Sequence, residues 1–325
     1  MTTSSPADSA SRTVASSQDV ASEESRLRRR TELVRRLKAG LPGLALVAPA
    51  LFFYGMFVLR PLGATVQYSF YDWNGVSAAT WVGWQNYVEI ITDPERLTSL
   101  TNAFQLIVFF SFIPVAFGVV AAALIRQFAA SRLATVSRTV LFLPQVIPLV
   151  AAGIMWTWLL ASNGAVNQVL KVIGLGGVTR AWLGDFDTAL PAVGVIGAWV
   201  NLGLCMLLML AGMTKIDPAL YEAVRLDGAG PIREFFSVTL PAIRAEVGIA
   251  VIITVISALR SFDIIFVSTQ GGPGYETLVP GLEIYRLAFF DRSIGEASAL
   301  AVALTIIVLA VVLPLNYVTR VRNES

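Results

Sequence analysis

Uncharged apolar runs long enough to cross a bilayer recur along this chain, separated by polar segments. Five are free of charge: Leu41–Leu59, a stretch within Leu97–Ile125, one within Thr139–Leu170, one within Thr188–Thr214, and Ala297–Thr319. A sixth, Val247–Val267, is equally long but contains Arg260 and Asp263. About 20 mostly apolar residues are needed to span the hydrocarbon core as a helix. The pattern therefore predicts an all-α integral membrane protein with six transmembrane helices. One interruption stands out. The segment "KIDPALYEAVRLDGAGPIREFFSVTLPAIR", Lys215–Arg244, carries eight charges between two apolar runs and cannot cross lipid.

Composition agrees with the pattern. Apolar residues make up 55% of the 325 and charged residues 14%, against about 25% charged in soluble domains. Mean hydropathy is +0.68. The first 25 residues hold eight Ser and no aromatic, too little apolar surface to form a core. We expect residues 1–40 to be a disordered Ser-rich tail ending in a basic cluster. That cluster either rests on the anionic inner leaflet or serves only as a topology signal. The membrane domain then spans 41–322, and 323–325 form a cytoplasmic end. The first apolar run begins late and is long enough to remain as an anchor, so no cleavable signal is expected. Cys205 is the single cysteine, which excludes an internal disulfide.

Charge sets the orientation, because Lys and Arg favour the cytoplasmic side. With six spans both termini share a side with the second–third and fourth–fifth connections. That side holds 17 basic residues, among them Arg28, Arg36, Arg126, Arg138, Lys215, Arg233 and Arg322. The other side and its span ends offer Arg60, Arg96, Lys171, Arg180, Arg260, Arg286 and Arg292. Cytoplasmic termini follow, and the charged segment faces the cytoplasm.

Several chemistries are missing. The chain has no His, which removes His-based triads and the commonest metal ligand. It has no G-x-x-x-x-G-K-[ST] run and so no P-loop for ATP. Spans two, three, four and six carry no ionisable residue in their interiors, whereas ion-coupled pumps use such residues. Catalysis, a resident cofactor and ion coupling are not expected, so energy must come from elsewhere. Nothing points to nucleic acid.

The charged segment parses locally. Asp217 suits an N-cap, and Pro218 takes the first helical position, where its missing N–H costs nothing. Ala219–Leu226 reads as a short helix, Gly228-Ala229-Gly230 as its stop. Pro231 opens a second helix through Val238, and Pro241 marks the start of the fifth span. A helix–turn–helix with exposed Glu222, Arg225 and Asp227 suits a docking knob. It equally suits an amphipathic surface helix that only anchors the loop.

Within it, "EAVRLDGAGPIREFFSVTLP", Glu222–Pro241, resembles the EAA loop of permease subunits in binding-protein-dependent ABC importers. That pattern is Glu-Ala-Ala, then Asp-Gly-Ala, then Leu-Pro; here Val224 replaces the second Ala. "SFDIIFVSTQGGPGYETLVPGLEIYRLAFF" from Ser261 and "WVGWQNYVEIITDPE" from Trp81 resemble outer loops of the carbohydrate branch. Over roughly 41–322 the chain is similar to maltose-type sugar permeases.

The resemblance implies the type I ABC importer permease fold and a division of labour. An extracellular binding protein delivers sugar, two permeases form the path, and a dimer of cytoplasmic ATPases binds ATP and Mg and drives alternating access. It implies that Glu222, Ala223, Asp227 and Gly228 couple to the ATPase. Two other classes remain open: a secondary carrier, and a membrane scaffold that recruits a partner without moving solute.

Two features bear on a substrate path. Arg260 and Asp263 lie three apart, so on one helix they would share a face, either as a structural pair or as a gate. Gly197, Asn201 and Leu204, with Trp199 close by, form an i, i+4, i+7 face on the fourth span, and Thr254, Ala258 and Ser261 form another on the fifth. Small and polar residues also serve ordinary helix packing in membranes. The resemblance implies that sugar contacts fall on these two faces, with Leu204 and Ala258 departing from more polar or aromatic groups. Which sugar, polyol or glycerol phosphate would be carried is not written in the sequence.

Overall fold

The computed structural model describes residues 46–129 and 131–324. The expected tail, 1–40, lies outside them. The described residues divide into two units between Ala64 and Thr65.

Four helices are long and apolar enough to cross a membrane alone: α1 (Leu46–Tyr68), α3 (Pro94–Gln127), α7 (Ala189–Met213) and α13, whose apolar part is Ile294–Thr319. Two further spans are bent pairs. α4 (Arg132–Val146) meets α5 (Leu149–Leu159) at 103°, and α9 (Pro231–Ala242) meets α10 (Arg244–Leu259) at 68°. The prediction of six membrane-spanning segments holds, with two of them broken. α1 runs on past Leu59 to Tyr68, because Arg60 near a span end can snorkel and does not stop the helix.

Both breaks have local causes. Ile147 precedes Pro148 and is extended, with φ −72° and ψ 130°, the conformation that a following proline imposes. In the fifth span the helix does not start at Pro241, as expected; it runs from Pro231 through Ala242 and breaks at Ile243, with φ −94° and ψ 12°. Pro241 withdraws a backbone donor, and Phe235–Thr239 just before it adopts the wider π turn that accompanies kinks. The expected helix Val247–Val267 is also interrupted. α10 ends at Leu259, and α11 covers only Asp263–Ser268.

Short elements complete the molecule: α2 (Gln85–Thr92), α6 (Ala165–Val172), α8 (Pro218–Leu226) and α12 (Pro280–Phe289). A two-residue ribbon pairs β1 (Tyr71–Asp72) with antiparallel β2 (Thr80–Trp81), Tyr71 opposite Trp81. It is the one departure from all-α among the described residues. One buried cluster packs Phe110 of α3 and Val193 of α7 against Ile265 of α11 and Leu282 of α12. A second, toward α8 and α9, joins Val119 of α3, Ala134 of α4, Met206 and Met209 of α7, and Ile243.

Candidate transport path and coupling loop

The charged segment folds as its caps dictate. Asp217 accepts the Ala219 N–H at 2.9 Å, and Pro218 opens α8. The helix closes at Gly228, whose φ of +76° is a conformation that L side chains avoid. The Ala229 N–H donates back to the Val224 carbonyl at 3.2 Å. Gly230 then caps α9. Arg225 Nε and Nη2 donate to the two carboxylate oxygens of Glu234, at 2.8 and 3.1 Å, tying α8 to α9. That carboxylate pushes the Arg225 guanidinium further above its ordinary pKa. Tyr221 is 3% exposed; its hydroxyl lies 3.1 Å from Thr239 Oγ1, and the Arg126 guanidinium sits 3.9 Å from its ring centre. Tyr221 therefore nails the loop to the helix bundle. Glu222, Ala223, Asp227 and Gly228 are all exposed on its free side.

The residues expected along a path separate into two sets. A cleft of about 360 Å³ collects Gly197, Asn201, Arg260, Ser261 and Asp263, together with Phe110, Ser257 and Phe262. Asn201 is 8% exposed and donates to the Phe110 carbonyl at 3.2 Å. A side chain on Gly197 would collide with the Phe110 ring, so glycine lets α3 and α7 meet. Ser261 Oγ is buried without a hydrogen-bond partner among the described residues. Thr254 is instead fully enclosed, its Oγ1 2.7 Å from Ser111 Oγ and 2.7 Å from the Ala250 carbonyl. Ala258 is likewise fully buried. Leu204 is half-buried, and Trp199 meets Trp156 edge-on at 5.6 Å; neither lines the cleft.

Arg260 and Asp263 do not share a helix face. Arg260 ends α10 with φ −97° and ψ 11°, Phe262 is twisted out of helical geometry, and Asp263 begins α11. No ion pair joins them; both line the cleft.

A second charged assembly lies where α2, α3, α12 and α13 converge. Arg96, 7% exposed, pairs with Glu296 and stands 3.6 Å from each of Glu89, Asp93 and Glu283. Burial pushes the Glu283 carboxyl up to about 7. A hydrogen bond with Ser99 and attraction to Arg96 oppose this only in part.

A family model described as "Binding-protein-dependent transport system inner membrane component" matches residues 114–321, more than half of the chain. The chain belongs to this family. The permease is 36% identical over 272 residues to a probable ABC transporter permease protein, YurN of Bacillus subtilis, covering 83% of this chain and 92% of that one. It is 32% identical over 292 residues to NgcF of Streptomyces coelicolor, a diacetylchitobiose uptake system permease protein, covering 85% and 82%. Among solved structures, a bacterial ABC transporter involved in alginate import matches with a TM-score of 0.77 over 89% of this permease and 98% of that chain. At 24% identity this likeness speaks for the fold. The permease is thus a multi-pass inner membrane component of the type I ABC importer fold, a transporter subunit rather than an enzyme.

Sequence reasoning missed three side chains of the loop and the cleft. Tyr221 had a signal, as the only aromatic on a short helix; Phe110 and Phe262 did not, because their value depends on what α3 and α11 meet.

Proposed function

We propose that this permease carries a sugar from an extracellular binding protein into the cytoplasm. A second permease subunit completes the path, and a dimer of separate ATPase subunits, which bind ATP and Mg, supplies the energy. The observation that carries the reading is the cleft of Asn201, Ser257, Arg260, Ser261 and Asp263 beside the rings of Phe110 and Phe262. Sugars need hydrogen-bond donors and acceptors together with flat apolar faces, and a small number of polar groups on a mostly apolar wall is the usual composition of a ligand site. Relatives named for diacetylchitobiose and sulfoquinovosyl glycerol transport support the same class. Glu222, Ala223, Asp227 and Gly228 form the ATPase-facing surface of the loop. The excess of basic residues on the side of this loop supports cytoplasmic termini.

The test is uptake of radiolabelled mono-, di- and trisaccharides, polyols and glycerol phosphate by proteoliposomes holding the full transporter. Uptake of at least one sugar, dependent on ATP and on the binding protein, is expected. Uptake of none of the sugars would overturn the sugar assignment.

A further inference from the structure

A continuous file of aromatic rings leads from the cleft to a second, unassigned pocket. Phe262, in the cleft wall, stacks on Phe266 with centroids 5.1 Å apart and planes 16° from parallel. Phe266 meets Tyr285 at 5.3 Å, and Tyr285 meets Phe289 at 5.1 Å and Phe290 at 5.8 Å. Phe266, Tyr285 and Phe290 wall a pocket of about 540 Å³, within the roughly 300–1,000 Å³ usual for small-ligand sites. Its rim carries Glu95, Gln270, Arg286 and Asp291. Arg286 is oriented by donating to the Gln270 carbonyl. Ordinary core packing accounts for Phe262 and Phe266. It does not account for Phe290, 70% exposed beside a polar rim.

We propose that this pocket is a staging site for a neutral oligosaccharide, and that the Phe290–Tyr285–Phe266–Phe262 file hands sugar rings on to the cleft. The inference rests on the sugar-import reading and on the orientation that puts α12 outside. Ring faces bind the apolar faces of sugars. Carboxylate, guanidinium and amide groups together offer hydroxyls both acceptors and donors. The charges nearly cancel in both places, Glu95 and Asp291 against Arg286 in the pocket and Arg260 against Asp263 in the cleft. A polyanion would find no net positive field. Two sites joined by a file favour a chain of at least two sugar rings.

The experiment uses proteoliposomes of the complete transporter with its binding protein saturated by radiolabelled cellotriose, maltotriose, N,N′-diacetylchitobiose or an alginate trisaccharide. Phe290→Ala should lower the uptake rate of whichever neutral probe the wild type carries by roughly two- to tenfold, the worth of one ring contact. Phe290→Trp should restore it, with both variants retaining their ATPase on co-purification. Wild-type rates in Phe290→Ala would overturn the staging site while leaving sugar import intact. Wild-type uptake of none of these oligosaccharides, with uptake of a monosaccharide, polyol or glycerol phosphate in the wider panel, would overturn the staging site and leave import intact. A preference for the alginate probe would overturn the neutral class. Failure of both variants to capture the binding protein would make the face a protein-docking surface instead. Loss of assembled complex in both would make Phe290 a membrane-interface anchor. Each of these last two outcomes also overturns the proposal.

Discussion

Arg225 and Glu234 face each other across the turn at Gly228, joined by two hydrogen bonds of 2.8 and 3.1 Å. This fork makes one stiff body of α8 and α9, and Tyr221 ties that body to α3 through Arg126. A rigid wedge transmits a push; a loose loop absorbs it. Glu234→Ala should therefore cut ATP-driven uptake roughly fivefold or more, the scale of a coupling energy, while the ATPase still co-purifies. The swap Arg225→Glu with Glu234→Arg should recover part of the loss. Unchanged uptake in Glu234→Ala would show that the fork does not serve coupling.

Thr254 and Asn201 should behave differently, though both were expected on the path. Thr254 is fully buried against Ser111 and Ala250. Thr254→Val should lower the thermal stability of the purified complex by about 1 kcal/mol, the worth of one buried hydrogen bond, and Thr254→Leu should reduce assembled protein through overpacking. Asn201→Leu should leave assembly intact and reduce sugar uptake. Fluorescence size-exclusion profiles and uptake rates, measured together, separate the two effects.

The helix break between Arg260 and Asp263 frees both for the cleft. Asp263→Asn should assemble at the wild-type level yet reduce the uptake rate by about tenfold, since a charge-assisted hydrogen bond to a sugar hydroxyl is lost. Reduced assembly with normal uptake per assembled complex would return the pair to a structural role.

Glu283 predicts a pH dependence. Its carboxyl is raised from an ordinary value of 4.5 to about 7 by burial. The folded protein thus holds a proton that the unfolded chain has released between these values, so stability falls as pH rises from about 4.5 through about 7. The full span is worth roughly 3 kcal/mol. Thermal unfolding of the detergent-solubilised permease should show a higher midpoint at pH 5 than at pH 8. Glu283→Gln, which mimics the protonated form, should flatten that difference. An unchanged difference in the variant would assign the dependence to other groups.

How much of this was legible in the sequence follows from the range of each interaction. The spans were, because lipid demands long apolar runs and nothing else satisfies it. The loop was too: Asp217 bonds a group two residues away, and Gly228 supplies its own backbone freedom. The second helix was drawn too short because Pro241 looked like its end, whereas the chain bends only at Ile243. The faces holding Leu204, Thr254 and Ala258 were visible as helical spacing, but spacing does not say which neighbour a face meets. Arg96 and Glu296 stand 200 positions apart, so their cluster exists only once α2, α3, α12 and α13 converge. The shared face of Arg260 and Asp263 assumed a continuous helix, and the twisted backbone at Phe262 removes it.

The most direct test of the central claim is ATP-dependent sugar uptake by proteoliposomes of the reconstituted transporter, compared between wild type and Gly228→Pro. Proline fixes φ near −65°, whereas this turn needs +76°, so the variant cannot close the turn between α8 and α9. The account predicts wild-type uptake only when ATP, the ATPase subunits and the loaded binding protein are all present. It predicts less than about a tenth of that rate in Gly228→Pro, with the permease still inserted. Uptake that proceeds without the ATPase, or at the wild-type rate in the variant, would contradict it.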